Sequence, residues 1–127
     1  MILLNDFFTI NDKVSSETEI WAELFINADH KIFEGHFPGH PVVPGVCMMQ
    51  MVKEIIEKVI GEKTNLVRAG EMKFLAIIDP KENNIIQTTL KYNIEENGNM
   101  AVSATFFKES LIHFKFKGLF ASQQPHS

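Results

Sequence analysis

The amino-acid sequence predicts an α+β domain in which an antiparallel β-sheet wraps around one long central helix. Residues 45–60 include an apolar run that covers nearly all sides of a helix, which indicates a helix enclosed by other structure. Four strand-like stretches follow this helix and are separated by short polar turns. An enclosed helix next to a series of closely linked strands favours a sheet that packs around the helix.

The first half of the chain predicts a hairpin followed by the helix. Residues 7–14 and 19–26 are strand-like, and a polar stretch, residues 15–18, separates them. Pro44 and Gly45 are typical of a helix start, and we expect the helix to run to about Ile60 and to end at Gly61.

The second half predicts strands at residues 66–78, 84–94, 100–108 and 111–121. Asn97-Gly98 is the strongest hairpin signal in the chain. The last of these strands alternates apolar with polar side chains, as a half-buried antiparallel strand does. The two predicted faces carry Ile112, Phe114 and Phe116 on one side and His113, Lys115 and Lys117 on the other.

Composition favours one domain. With 127 residues of which 45% are hydrophobic, the chain can bury a single core, so we expect one domain over residues 1–127 with a flexible tail at residues 122–127. No apolar run is long enough to span a membrane, and residues 1–4 lack the basic flank of a signal peptide. The single cysteine, Cys47, cannot form an internal disulfide, and we expect it to pack rather than react. A cytoplasmic protein without a membrane partner is the expectation.

The charge balance argues against nucleic-acid binding. The formal net charge is −4, and Arg68 is the sole arginine. An acidic protein partner remains compatible with a local cluster of lysines.

One loop concentrates the unusual residues. Three prolines and three glycines lie between residues 35 and 46, so the segment is neither regular helix nor interior strand. His36 lies within it between Phe33 and Phe37, which predicts an imidazole lining an apolar pocket, where its neutral form can act as a base. The alternative is a core histidine bonded to a backbone carbonyl. Prolines exclude the helix on which His36 and His40 would share a metal.

The sequence HFPGHPVVPGV, residues 36–46, resembles the active-site signature of the β-hydroxyacyl-(acyl carrier protein) dehydratases. These are small hot-dog-fold enzymes of fatty-acid and polyketide synthesis. The resemblance is dense from Phe33 to about Glu54 and elsewhere extends only to a compatible order of elements. It implies elimination of water from 3-hydroxyacyl thioesters carried on acyl carrier protein, giving trans-2-enoyl thioesters, with neither metal nor cofactor.

The resemblance also implies roles for individual residues. His36 would be the base that removes the C2 proton. The backbone N–H groups of Gly45 and Val46, at the helix start, would face the thioester oxygen. Phe37 and Pro44 would line the substrate site.

One position departs from the family pattern. The family carries Glu or Asp on the helix five residues after the glycine of the Pro-Gly pair, and this chain has Gln50 there. Glu54 lies one turn later, where glutamate-containing relatives often carry Gln. Because an amide cannot deliver a proton, either Glu54 supplies it or His36 serves as both base and acid, unless the substrate differs. The alternative for Glu54 is an exposed residue paired with Lys58.

Function and assembly have alternatives as well. A catalytically silent acyl-thioester-binding relative, for example a partner subunit of an active dehydratase, and a hot-dog thioesterase share the fold. The family pairs subunits so that His36 of one would face Gln50 of the other, which implies at least a homodimer. Docking of the acidic carrier protein would use basic residues. The candidates are Lys73, Lys108, Lys115 and Lys117.

Overall fold

The computed structural model describes residues 2–34 and 41–123 as one sheet and one long helix. In chain order the elements are β1 (Phe8–Ser15), β2 (Glu19–Ile26), a 3-10 turn (Lys31–Phe33), α1 (Gly45–Ile60), β3 (Thr64–Phe74), β4 (Ile85–Ile94), β5 (Met100–Lys108) and β6 (Leu111–Ser122). The six strands form a single antiparallel sheet in the order β1-β2-β4-β5-β6-β3. The predicted α+β fold, a sheet around a central helix, is confirmed.

The core lies between α1 and one face of the sheet. Alternate residues of β2 and β5 are buried, as expected for strands with one face turned inwards. The helix contributes Cys47, Met48, Met51, Val52, Ile55 and Ile56 to the same apolar cluster. The helix is therefore enclosed, as its apolar residues on most sides predict.

The helix and the β4–β5 hairpin follow the predicted local signals. Gly61 adopts φ 74°, the left-handed conformation that ends helices, and its N–H donates to the Glu57 carbonyl. Gly98 lies at φ 87° in the turn, and its N–H donates to the Glu95 carbonyl.

The strand β3 is shorter at its end than predicted. The predicted range extends to residue 78, but the strand ends at Phe74. The N–H groups of Leu75 and Ala76 both approach the carbonyl of His113, at 2.9 and 3.3 Å, so the ladder cannot continue in register. Ile78 instead accepts a hydrogen bond from Val43, in the segment before the helix.

The predicted two-sided alternation of β6 is wrong at its beginning. A register shift falls between Phe106 and Phe107, opposite His113. This bulge turns His113 inwards, where it is buried, while Lys115 and Lys117 stay exposed. The Nδ1 atom of His113 lies 3.2 Å from the Ala76 carbonyl oxygen, whereas its Nε2 atom is buried without a hydrogen-bond partner among the described residues.

The strand β6 includes the first residue of the predicted tail. Ser122 closes β6, and the Gln123 side chain donates to the Thr64 carbonyl at 3.0 Å and to Asn65 Oδ1 at 2.9 Å. Residues 122 and 123 therefore both contact the start of β3, residues 124–127 lie outside the described part of the chain, and the flexible tail stays a prediction.

The edge strand β3 exposes an unusual amount of apolar surface. Its hydrogen-bonding partner is β6 on one side, and its other side is an edge of the sheet. The strand and the residues after it leave apolar side chains between 41% and 69% exposed. They are Leu66, Val67, Met72, Phe74, Leu75 and Ile77. Within residues 2–34 and 41–123, no helix is both long and apolar enough to cross a membrane.

Candidate active site

The start of α1 presents backbone N–H groups to its surroundings. Pro44 is the N-cap residue, and its carbonyl accepts from the N–H groups of Cys47 and Met48 at 3.0 and 3.2 Å. The amides of Gly45 and Val46 precede this first intrahelical bond, so the helix itself supplies no acceptor for them. They carry the partial positive charge of a helix N-terminus.

An aromatic ring lies against this helix start. A Cβ atom added to Gly45 would come within 2.8 Å of the Phe74 ring, so only glycine allows this contact. The Phe74 ring also stacks on Phe114, with centroids 5.0 Å apart. Val46 beside it is 65% exposed. The helix start, with its amides, therefore borders the exposed apolar surface of β3.

Gln50 and Glu54 are hydrogen-bonded to each other. Gln50 Nε2 donates to Glu54 Oε2 at 2.9 Å across one helical turn. Gln50 is half-buried and Glu54 is 6% exposed. The two residues that depart from the family pattern therefore form one unit.

The Glu54 carboxylate holds the N-terminal strap, which we define as residues 2–7. The N–H of Leu3 donates to both of its oxygens, at 3.0 and 2.9 Å, and the N–H of Leu4 donates to Oε1 at 2.7 Å. The alternative of a solvated Glu54 paired with Lys58 is therefore wrong. The ion pair on this part of the helix is instead Lys53 with Glu57, at 2.9 Å.

Glu57 is a second structural carboxylate one turn further along. Its Oε2 accepts from the Thr64 N–H at 2.6 Å and lies 3.2 Å from Thr64 Oγ1. Burial alone would raise the pKa of Glu57, but hydrogen bonds from Lys53 and Thr64 hold that pKa below its ordinary value. Glu57 thus joins α1 to the start of β3.

His30 organises the turn before the predicted catalytic loop. Its Nδ1 accepts from the Ile32 N–H at 3.0 Å, so the ring proton resides on Nε2, which lies 3.0 Å from Asp6 Oδ2. The Phe7 ring packs against His30 and against Phe33, with centroids 5.4 and 5.5 Å apart. The N-terminal strap therefore contacts both α1 and the residues that lead to the loop.

The sequence signals for this arrangement differ in strength. Apolar residues at Val52 and Ile55 give only a weak signal that Glu54 is buried, because Lys53 and Lys58 place it equally well on a charged helix face. The amides of Leu3 and Leu4 carry no sequence signal, because every residue other than proline has an N–H. The aromatic cover that Phe74 gives to Gly45 depends on packing between distant segments.

Two predicted site residues, His36 and Phe37, lie outside the described residues, and so does His40. Their expected roles stay predictions. Within the described ranges, no group of three or more histidine, cysteine or acidic side chains could hold a metal ion. Cys47 is fully buried, and burial raises the pKa of its thiol, in keeping with a packing role.

The predicted docking lysines of β3 and β6 lie on the outer face of the sheet. Lys73 and Lys115 are cross-strand partners, and Lys117 faces Glu71. Lys73 Nζ also lies 3.3 Å from Glu71 Oε1. This face is opposite the one that packs on α1, so the sheet separates these lysines from Gln50.

Comparison with curated proteins finds 3-hydroxyacyl-(acyl-carrier-protein) dehydratases called FabZ. The protein of Blochmanniella pennsylvanica is 26% identical over 94 residues, 74% of this chain and 58% of that protein. The one from Novosphingobium aromaticivorans is 31% identical over 80 residues, covering 60% of this chain and 51% of that protein. The chain thus spans a little over half the length of these relatives.

Comparison with solved structures supports the same fold. The dehydratase heterocomplex ApeI:P from Xenorhabdus doucetiae superposes with a TM-score of 0.68 at 18% identity, covering 88% of this chain and 96% of that chain. A sigma28-regulated virulence protein, Cj0977 from Campylobacter jejuni, gives a TM-score of 0.67 at 8% identity, covering 91% and 85%. At such identities these likenesses concern the hot-dog fold alone.

A family model described as ApeI-like, ApeI dehydratase, matches residues 12–110. This match covers most of the sheet and all of the helix with Gly45, Val46, Gln50 and Glu54. The chain therefore belongs to the ApeI-like dehydratase family.

Proposed function

We propose that this protein eliminates water from 3-hydroxyacyl thioesters carried on acyl carrier protein and yields trans-2-enoyl thioesters. Membership of the dehydratase family supports the reaction class. The observation that carries the proposal is the start of α1, where the amides of Gly45 and Val46 border an exposed apolar surface. An acyl thioester offers a carbonyl oxygen to the amides and an alkyl chain to that surface.

The proposed chemistry divides among few groups. His36 removes a proton from C2, and negative charge moves onto the thioester oxygen, where the two amides stabilise it. The C3–O bond then breaks, C2=C3 forms, and the departing hydroxyl takes up a proton to leave as water. Phe37 and Pro44 flank the acyl chain. The reaction needs neither metal nor redox cofactor.

Gln50 and Glu54 belong to this site in the proposal. Gln50 contacts the substrate hydroxyl by hydrogen bonds. All the contacts described for Glu54, to the strap and to Gln50, use it as an acceptor, which favours a carboxylate over a proton donor. We therefore assign the second proton transfer to His36.

A silent acyl-binding subunit is the second candidate function. The contacts of Glu54, in which it acts as an acceptor, favour this function. A site without a free carboxylic acid would bind a thioester and turn it over slowly or not at all. The ApeI:P dehydratase of Xenorhabdus doucetiae is a heterocomplex, so a dehydratase of this fold can occur with a partner chain. In that case an active partner dehydratase, and not this chain, would turn over the substrate. A hot-dog thioesterase is the remaining alternative, and it would release free thiol.

The proposed active unit is a homodimer in the cytoplasm that receives its substrate from an acidic carrier protein. The exposed apolar edge of β3 supports subunit pairing. The outer-face lysines are the candidate surface for binding the acyl carrier protein. The prosthetic arm of the carrier protein would reach from there around the sheet edge to the active site. A single buried cysteine is compatible with a reducing compartment.

Hydration of a crotonyl thioester tests the proposal. The enoyl absorbance should fall with the wild-type protein and persist with His36→Ala, while no free thiol is released. Glu57→Gln, which alters a carboxylate assigned only to the fold, is the control and should retain activity. An inactive wild type would favour the silent subunit, and release of thiol would favour a thioesterase.

A further inference from the structure

We infer that Glu54 is a positioning residue that fixes the side-chain amide of Gln50 in one orientation, and that Gln50 thereby meets the substrate hydroxyl through its carbonyl oxygen. Only the hydroxyl contact rests on the proposed function. Gln50 and Glu54 are the two positions at which this chain departs from the dehydratase pattern, and the inference gives this pair a positioning role.

The chemistry of the pair determines which amide atom faces Glu54. An ionised carboxylate only accepts hydrogen bonds, so the Gln50 atom 2.9 Å from Glu54 Oε2 has to be the NH2 nitrogen. The reverse orientation would bring two oxygens together. The carbonyl oxygen of Gln50 consequently lies on the side of the amide turned away from that contact.

The N-terminal strap fixes the carboxylate in turn. Three short contacts from the N–H groups of Leu3 and Leu4 reach the two Glu54 oxygens. Leu3 is 2% exposed and Glu54 6%, so water competes little for these bonds. Backbone donors cannot change into acceptors, so they hold Glu54 as an acceptor, and its Oε2 accepts from the Gln50 nitrogen as well as from Leu3.

This arrangement predicts a specific consequence of the substitution Glu54→Gln. The oxygen of the new amide would take the bonds from Leu3 and Leu4, because those N–H groups need an acceptor. The NH2 group of the new amide would then face the Gln50 NH2, and two donors repel each other. Rotation of the Gln50 amide relieves the conflict and turns its nitrogen, instead of its oxygen, to the substrate.

NMR of the side-chain amide signals tests the orientation without any substrate. The Gln50 signals are identified by their loss in Gln50→Met, and we expect Glu54→Gln to shift them. Glu57→Gln is the matched control, because Glu57 lies one turn further along α1 and its described contacts are to Lys53 and Thr64. Unchanged Gln50 signals in Glu54→Gln, or an equal shift in Glu57→Gln, would overturn the inference.

A second NMR measurement covers the case in which Glu54→Gln does not fold. The carboxyl carbon of Glu54 should change its chemical shift between wild type and Gln50→Met, since that variant removes the hydrogen bond that Gln50 donates to Glu54. An identical carboxyl signal in the two proteins would show that Gln50 and Glu54 do not interact.

Kinetics then test the consequence for the reaction. Loss of one oriented hydrogen bond should lower kcat of Glu54→Gln by about tenfold with KM within about twofold. The exchanged pair Gln50→Glu/Glu54→Gln restores a carboxylate bonded to an amide and should regain at least the wild-type kcat. A wild-type kcat in Glu54→Gln would contradict the inference, whereas an inactive wild type would refute the proposed function and leave the NMR result decisive for the Gln50 orientation.

Discussion

Glu57 shows how a single carboxylate can connect two elements and make their packing depend on pH. It accepts bonds from Lys53 on α1 and from Thr64 at the first residue of β3. Because its pKa in the folded protein is lowered, the carboxylate contributes stability above its ordinary pKa of 4.5. That contribution disappears as the pH falls from there through the folded-state pKa.

Glu57→Gln should therefore destabilise the protein by about 1–2 kcal/mol at neutral pH, since charged hydrogen bonds are lost. The difference from wild type should shrink as the pH falls below 4.5. Urea unfolding at several pH values measures it. Glu19→Gln, which removes an exposed pair with Lys91, is the control and should change little. A difference that stays constant down to acid pH would contradict this role of Glu57.

The candidate site was predictable where residue type decides the chemistry. The exchange of side chains at Gln50 and Glu54 is visible in the sequence, and so is the helix start at Gly45. The burial of Glu54 was not, because its partners are backbone N–H groups 51 and 50 positions away. The local spacing fits an ion pair of Glu54 with Lys58. Glu54 instead accepts hydrogen bonds from the distant N–H groups of the strap.

Among the elements, the start of α1 and the end of β3 depend on each other. The Phe74 ring lies where a Gly45 side chain would be and stacks on Phe114. Gly45→Ala should displace the ring and cost about 1 kcal/mol, because its added methyl group meets a side chain that can partly move. Denaturant unfolding measures the loss.

The double variant Gly45→Ala/Phe74→Leu tests whether this contact is the cause. A smaller side chain at position 74 makes room for the methyl group, so the alanine substitution should cost less in the Phe74→Leu background. Equal costs in the two backgrounds would show that Gly45 is required for another reason.

Elements with complete local signals were predicted well, and those set by distant contacts were not. α1 runs from Gly45 to Ile60 as predicted, since a proline and a glycine mark its two ends. β3 ends before the apolar residues that follow it because the bulge at His113 takes up their N–H groups. The apolar pattern of residues 75–78 could not distinguish a strand from an irregular connection, of which Ile78 is the buried residue.

For the protein as a whole, the exposed β3 edge is the most prominent feature without a described partner surface. Val67 is 55% exposed near the middle of this strand. Val67→Asp should weaken the proposed homodimer, because pairing there would bury a charge. Light scattering should then report the mass of one chain where the wild type gives that of two.

Ile94→Asp is the matched control for this experiment. Ile94 is 72% exposed and lies at the end of β4, away from the β3 edge. The mass of this variant in solution should equal that of the wild type. A wild-type mass for Val67→Asp, or equal dissociation by both variants, would contradict pairing through β3.

Dehydration of a carrier-bound acyl chain can be observed as a loss of mass. A 3-hydroxyacyl chain is loaded on acyl carrier protein, incubated with wild type or His36→Ala, and analysed by intact mass spectrometry. We expect the wild type to convert the carrier to a species lighter by one water, while His36→Ala leaves it unchanged. A carrier that keeps its mass with the wild-type protein, or loses the acyl group altogether, would contradict the proposed dehydration.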